Sequence, residues 1–168
     1  MLMAEGQGPV LWIGAGTSLH APGLAELADP GRLIVVAHPK ADGLLWAAEE
    51  ALRSGMAPLV LVDLRDPPAL TPVRRLHLAA ETGGEAARSA GLLPPLAVLL
   101  TPGTGGAQGV ESRWQFCAAP STSTLLDHRA AWRLDRLRAR MEPPAAWEVR
   151  EGDAGVLTGR RAGGDPLA

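Results

Sequence analysis

The stretch LWIGAGTSLHAPG, residues 11–23, decides what kind of α/β protein this chain makes. An apolar run from Val10 to Ile13 meets Gly14 and Gly16, the beginning of a phosphate-binding loop or a strand running into a turn. A dinucleotide loop needs G-x-G-x-x-G at the start of a helix, with an acid about twenty positions on to hold the ribose. Three residues after Gly16 stands Leu19, too large for close helix packing, and Pro22 soon follows. The next apolar run ends in Ala37-His38, where an acid would be required. The Walker pattern fails as well. The only lysine, Lys40, follows no glycine and precedes neither Ser nor Thr. A second glycine cluster, TPGTGGAQG (101–109), has no lysine and leads toward a strand, so no helix N-terminus follows it to meet a phosphate. Neither loop is a phosphate cradle as the chain stands.

Working outward, Pro9 to Ile13, Leu33 to Ala37, Pro58 to Val62 and Leu96 to Leu100 read as strands. Each is a short Val, Ile and Leu run without polar alternation, which suits strands buried in a parallel sheet. Helical patterns lie between them. In Asp42 to Ser54, Leu44, Leu45, Ala48, Ala51 and Leu52 share one face. Glu49 and Arg53 pair on the other side, Asp42 is the expected N-cap, and Gly55 stands at C′. TPVRRLHLAAE predicts a second helix capped by Thr71, with Pro72 at its first position and Val73, Leu76 and Ala80 inward. A short helix is expected over Pro22 to Leu27. Alternating strands and helices predict an α/β, doubly wound, mostly parallel sheet flanked by helices.

The final third changes character. RWQFCAAPS places Trp114, Phe116 and Ala118 on one side of a strand. AAWRLDRLRAR does so only roughly, with Trp132, Leu134, Leu137 and Ala139; Leu134, Leu137 and Met141 also fit a helix. With AAWEVREGDAG these segments predict antiparallel strands added to the sheet edge. The organisation expected is a single domain over residues 1–158 and a disordered tail over 159–168.

Composition excludes several classes. At 168 residues the chain is long enough to bury a core in one domain. A net charge of -2 gives no general signal for nucleic acid or membrane. One cysteine, Cys117, excludes an internal disulfide and a multi-cysteine zinc site. His20, His38, His77 and His128 show no metal-ligand spacing, so no metal and no cofactor is expected. The N-terminus has no cationic stretch followed by a long apolar core, and no apolar run approaches 18 residues, so a cytoplasmic location is expected. No Ser-His-Asp spacing, paired-carboxylate motif or cysteine-nucleophile context marks a hydrolase. Arginine accounts for nearly all the basic charge, a bias that suits a GC-rich bacterial genome. Trp12, in a strand, and Trp46, on a helix, read as core.

VLWIGAGTSLHAPGLAELADPGRLIVV, DGLLWAAEEALRSG, RRLHLAAE, SRWQFCAAPS and WRLDRLRARMEPPAAWEVR, in that order, resemble the ImuA family. These are RecA- and SulA-related accessory proteins of bacterial mutagenic DNA repair. The resemblance covers roughly Pro9 to Arg150, and LWAAEEALRSG and WRLDRLRARMEPPAAWEV are its most specific parts. It implies a RecA-like core and work beside ImuB, an inactive Y-family polymerase homologue, with RecA and an error-prone C-family DNA polymerase as further partners. It also implies a phosphate loop upstream of Val10, where only nine residues stand, so the P-loop unit is expected to be missing. The position of the RecA catalytic glutamate falls on Gly16, which has no side chain to act as base. The matching Walker-B strand is LVLVDL, with Asp63 as its acid. Asp63 then either is the remnant of a magnesium-holding site or caps the following loop at the strand end.

Arg129, Arg133, Arg136, Arg138 and Arg140 cluster around Trp132 against one acid, Asp135. Three readings of this cluster stay open: phosphate contact with base stacking, protein docking, or a solvated strand face. The expected function is a non-catalytic adaptor of error-prone translesion synthesis in the SOS response to DNA damage, direct DNA binding being left open. The alternatives are a RecA-type ATP-binding protein with a degenerate or missing site and a SulA-like inhibitor that binds the division protein FtsZ.

Overall fold

The computed structural model describes residues 8–15, 19, 21–25, 29–104, 106–120, 130–152 and 157–162. They form a mixed α/β protein in two compact units divided between Gly109 and Val110. The first unit holds β1 (Val10–Gly14), β2 (Leu33–Ala37), β3 (Leu59–Asp63) and β4 (Leu96–Leu100), with helices α1 (Ala21–Ala25), α2 (Ala41–Ser54) and α3 (Leu70–Ser89). Its four strands are parallel in the order β2-β1-β3-β4. The chain steps from β1 to β2 on one side and then returns past β1 to β3. The sheet therefore reverses direction between β1 and β3, the doubly wound pattern expected. Strand alternation turns Ile13, Val60 and Val62 toward α2 and α3, where Leu44, Ala48, Leu52, Leu76 and Ala79 complete one apolar core. Among the described residues, no helix is long and apolar enough to cross a membrane.

α2 ends as its sequence predicts, with Gly55 left-handed at φ 68° and its N–H donated to Leu52 O. Its start differs: Lys40 is the N-cap residue, and Asp42 lies inside the first turn. No side chain caps the first turn; His38 Nδ1 instead accepts from the Lys40 N–H at 3.1 Å, just ahead of the helix. α3 likewise begins at Leu70, ahead of Thr71, and runs on to Ser89 through Gly83 and Gly84. A glycine pair disfavours a helix interior. Here the first of the two is required, because a methyl at Gly83 would stand 1.8 Å from Leu52 O, where α3 crosses the end of α2.

That close crossing also changes the setting of Glu49, which the helical pattern puts on the outer side. Glu49 is buried, paired with Arg53 at 2.5 Å and with Arg75 of α3 at 2.6 Å. Arg53, hydrogen-bonded to Glu49 and Glu50, has its pKa raised. Trp46, expected in the core, is 62% exposed, because it lies off the apolar stripe of α2.

The second unit is an antiparallel meander of β5 (Ser112–Ala118), β6 (Ala131–Ala139), β7 (Ala145–Glu151) and β8 (Leu157–Arg161). These strands form their own sheet rather than joining the edge of the parallel one, which corrects that expectation. Segment 131–139 is a strand and not a helix. Its alternation is imperfect because the register shifts beside Arg113: Arg113 faces Arg138, but Trp114 faces Arg136, so Leu137 is extra. The expected tail starts too early, since Gly159 pairs with Val149 and Arg161 with Trp147. The hairpin partner supplies what the local sequence of β8 lacks.

Candidate functional site

Two places carry chemistry, one in each unit. In open α/β sheets, ligands sit beyond the carboxyl ends of the strands where the winding reverses. Here that point lies between Gly14, ending β1, and Asp63, ending β3. There the two strands approach closely beside Gly14. A methyl at Gly14 would stand 3.1 Å from Asp63 Cβ and 3.3 Å from Trp12 Nε1. Trp12 Nε1 is buried with no hydrogen-bond partner, whereas Asp63 is already engaged within the protein. Among the described residues, no three His, Cys, Asp or Glu side chains gather as a metal would need. Gly16, at the position of the RecA base, lies outside the described residues.

In the antiparallel sheet, strand alternation sends the residues of the basic segment to two opposite faces. Trp132, Leu134 and Arg136 share a face with Trp114, Phe116, Trp147 and Val149. Two aromatic pairs form there: Trp114 with Trp147 at 5.4 Å and Phe116 with Trp132 at 6.0 Å between ring centroids. The Arg136 guanidinium lies 5.6 Å from the Trp114 centroid and 5.4 Å from that of Trp147. It also pairs with Glu142 and donates from Nε to Pro143 O at 3.1 Å. With its side chain only 11% exposed, Arg136 is part of the aromatic layer rather than a free cation. Phe116 and Trp114, on the edge strand, remain 58% and 45% exposed.

Arg133 and Arg138 point from the other face, in rows with Cys117 and Arg113 of β5. Arg133 is bound at 2.9 Å to Asp135, two residues along its own strand, and that hydrogen bond raises its pKa. Arg140 lies past the end of β6, paired at 3.2 Å with Glu111, and Arg129 lies outside the described residues. The structure thus separates what the sequence brings together. Trp132 and Arg136 are on the aromatic face and Arg133 and Arg138 on the polar one, so no one ligand takes a base on Trp132 and a phosphate on Arg133.

Sequence reasoning misses Arg150 and Arg160 as members of the polar face, which appear only through the register of β7 and β8. It also misses Trp147 as the ring against Trp114. One signal for Arg136 was present: it follows Trp132 and Leu134 in strict alternation.

No family model matches the chain, and no curated protein matches it. Among solved structures it is similar to SulA from Pseudomonas aeruginosa, with a TM-score of 0.44 and 20% identity. That likeness covers 60% of this chain and 78% of the other.

Proposed function

We propose that this chain is a non-catalytic accessory protein of error-prone translesion synthesis, with a RecA-like core of the ImuA type. It acts in the cytoplasm during the SOS response by contacting an ImuB-like polymerase homologue, with RecA and the error-prone C-family polymerase as further partners. The partners come from the sequence resemblance. The observation that carries the adaptor role is the open edge of the aromatic face, where Phe116 and Trp114 leave large rings exposed beside Arg136. Aromatic rings and arginine are the residues most often found at the energetic centre of protein interfaces.

Titrating the purified chain with the ImuB-like protein of the same genome tests this reading. Phe116→Asp puts a charge at the exposed edge of the ring layer and is expected to weaken the complex by at least about 2 kcal/mol, a thirtyfold loss. Unchanged affinity in a folded variant removes the aromatic face from the interface. ATP hydrolysis is expected to stay at buffer background. A rate abolished by Asp63→Ala would overturn the non-catalytic reading.

A further inference from the structure

We infer that the polar face of the antiparallel sheet binds the phosphate backbone of nucleic acid. Four strands contribute to it. Arg113 and Cys117 come from β5, Arg133, Asp135 and Arg138 from β6, Glu148 and Arg150 from β7, and Thr158 and Arg160 from β8. Adjacent strands lie about 4.8 Å apart, so these guanidinium groups cover a patch roughly 14 Å wide. Its five arginines face two carboxylates. Both carboxylates sit two residues from an arginine of their own strand: Asp135 holds Arg133 at 2.9 Å and Glu148 holds Arg150 at 3.4 Å. Arg133 and Arg150 still leave more than half of their side chains in water, at 59% and 53% exposure. Arg138 and Arg160 are exposed and make no ion pair among the described residues.

One feature points to a polyanion and away from a folded protein. Among the described residues that the strand pairing places on this face, none is a large apolar side chain, whereas a protein interface needs an apolar centre that excludes water. Phosphate contact needs none, since its affinity comes from the counterions that arginines displace. The inference does not rest on the adaptor role. The exposed rings belong to the opposite face, so both contacts can be made at once.

The full chain is titrated into fluorescein-labelled DNA of mixed sequence, about 30 nucleotides long, as single strand and as duplex, in about 50 mM salt and read by anisotropy. Binding is expected in both strand states. With about four phosphates engaged, tripling the salt weakens it about twentyfold for single strand and about fiftyfold for duplex. Arg138→Glu with Arg160→Glu is expected to reduce affinity at least tenfold while the melting temperature holds, because both side chains are exposed. Phe116→Asp leaves DNA affinity unchanged. The one cysteine, Cys117, lies on this face, so a photocrosslinker attached there joins the DNA. The same reagent on the opposite face, in Phe116→Cys with Cys117→Ser, does not. Four results would each overturn the inference: no binding at low salt, binding unmoved by the double reversal in a folded protein, crosslinking from position 116 alone, or poly-glutamate competing as well as DNA at equal charge.

Discussion

Gly83→Ala is expected to destabilise the first unit by at least about 3 kcal/mol, while Gly84→Ala, one position on, is neutral or stabilising by up to about 1 kcal/mol. The two glycines share a helix and are both buried, so propensity alone predicts a gain at each. What separates them is what a methyl would meet. At Gly83 it would overlap Leu52 O at 1.8 Å, and that carbonyl already accepts the Gly55 N–H that closes α2. Neither group is a side chain that can rotate away. The helices must separate, and separation opens the core around Leu52 and Leu76 and loosens the Glu49–Arg75 pair between them. At Gly84 the nearest atom is Pro94 Cβ at 3.8 Å, an ordinary contact. Urea unfolding of both variants checks this. Equal stability of the two would mean that α3 does not cross α2 at Gly83.

Arg136→Glu is the second large effect, and it falls on the fold of the antiparallel sheet. The arginine charge sits against two tryptophan rings and next to Glu142. A cation held over aromatic rings out of water contributes about 2 kcal/mol, and the ion pair, whose Glu142 partner stands mostly in water, adds about 1 kcal/mol or less. Reversal forfeits both and sets two carboxylates together, so a loss of about 3 kcal/mol or more is expected. Arg133→Glu, by contrast, disturbs a pair whose arginine stands mostly in water, and the unfolding midpoint is expected to stay close to that of the wild type. Tryptophan fluorescence during urea unfolding distinguishes them, because Trp114 and Trp147 report on this layer. Binding lost by Arg136→Glu alone would therefore reflect the fold of the sheet. Only a partner titration with folded Arg133→Glu or Phe116→Asp assigns a contact.

The parallel sheet was legible in the sequence because each of its strands is an unbroken run of Val, Ile and Leu between turn residues. α2 was legible because its apolar spacing and Gly55 agree. The failures share one physical origin: a distant partner overrides the local preference. Gly83 looks like a helix end until the carbonyl of Leu52 is placed beside it. β8 has little apolar alternation, and its register is supplied by β7. Leu137 breaks the alternation of β6 by bulging, which gives the segment its second, helical spacing; the alternation up to Arg136 is intact. Asp63 was legible as the acid ending a central strand. Its closeness to Gly14 depends on the register of two strands far apart in sequence.

The adaptor role is tested most directly by a pull-down of the tagged chain from nuclease-treated lysate of DNA-damaged bacteria, with the bound proteins quantified by mass spectrometry. The account predicts that an ImuB-like protein is enriched with the wild-type chain, and that Phe116→Asp loses it while remaining folded. FtsZ enriched in its place would contradict the account and make the protein a division inhibitor.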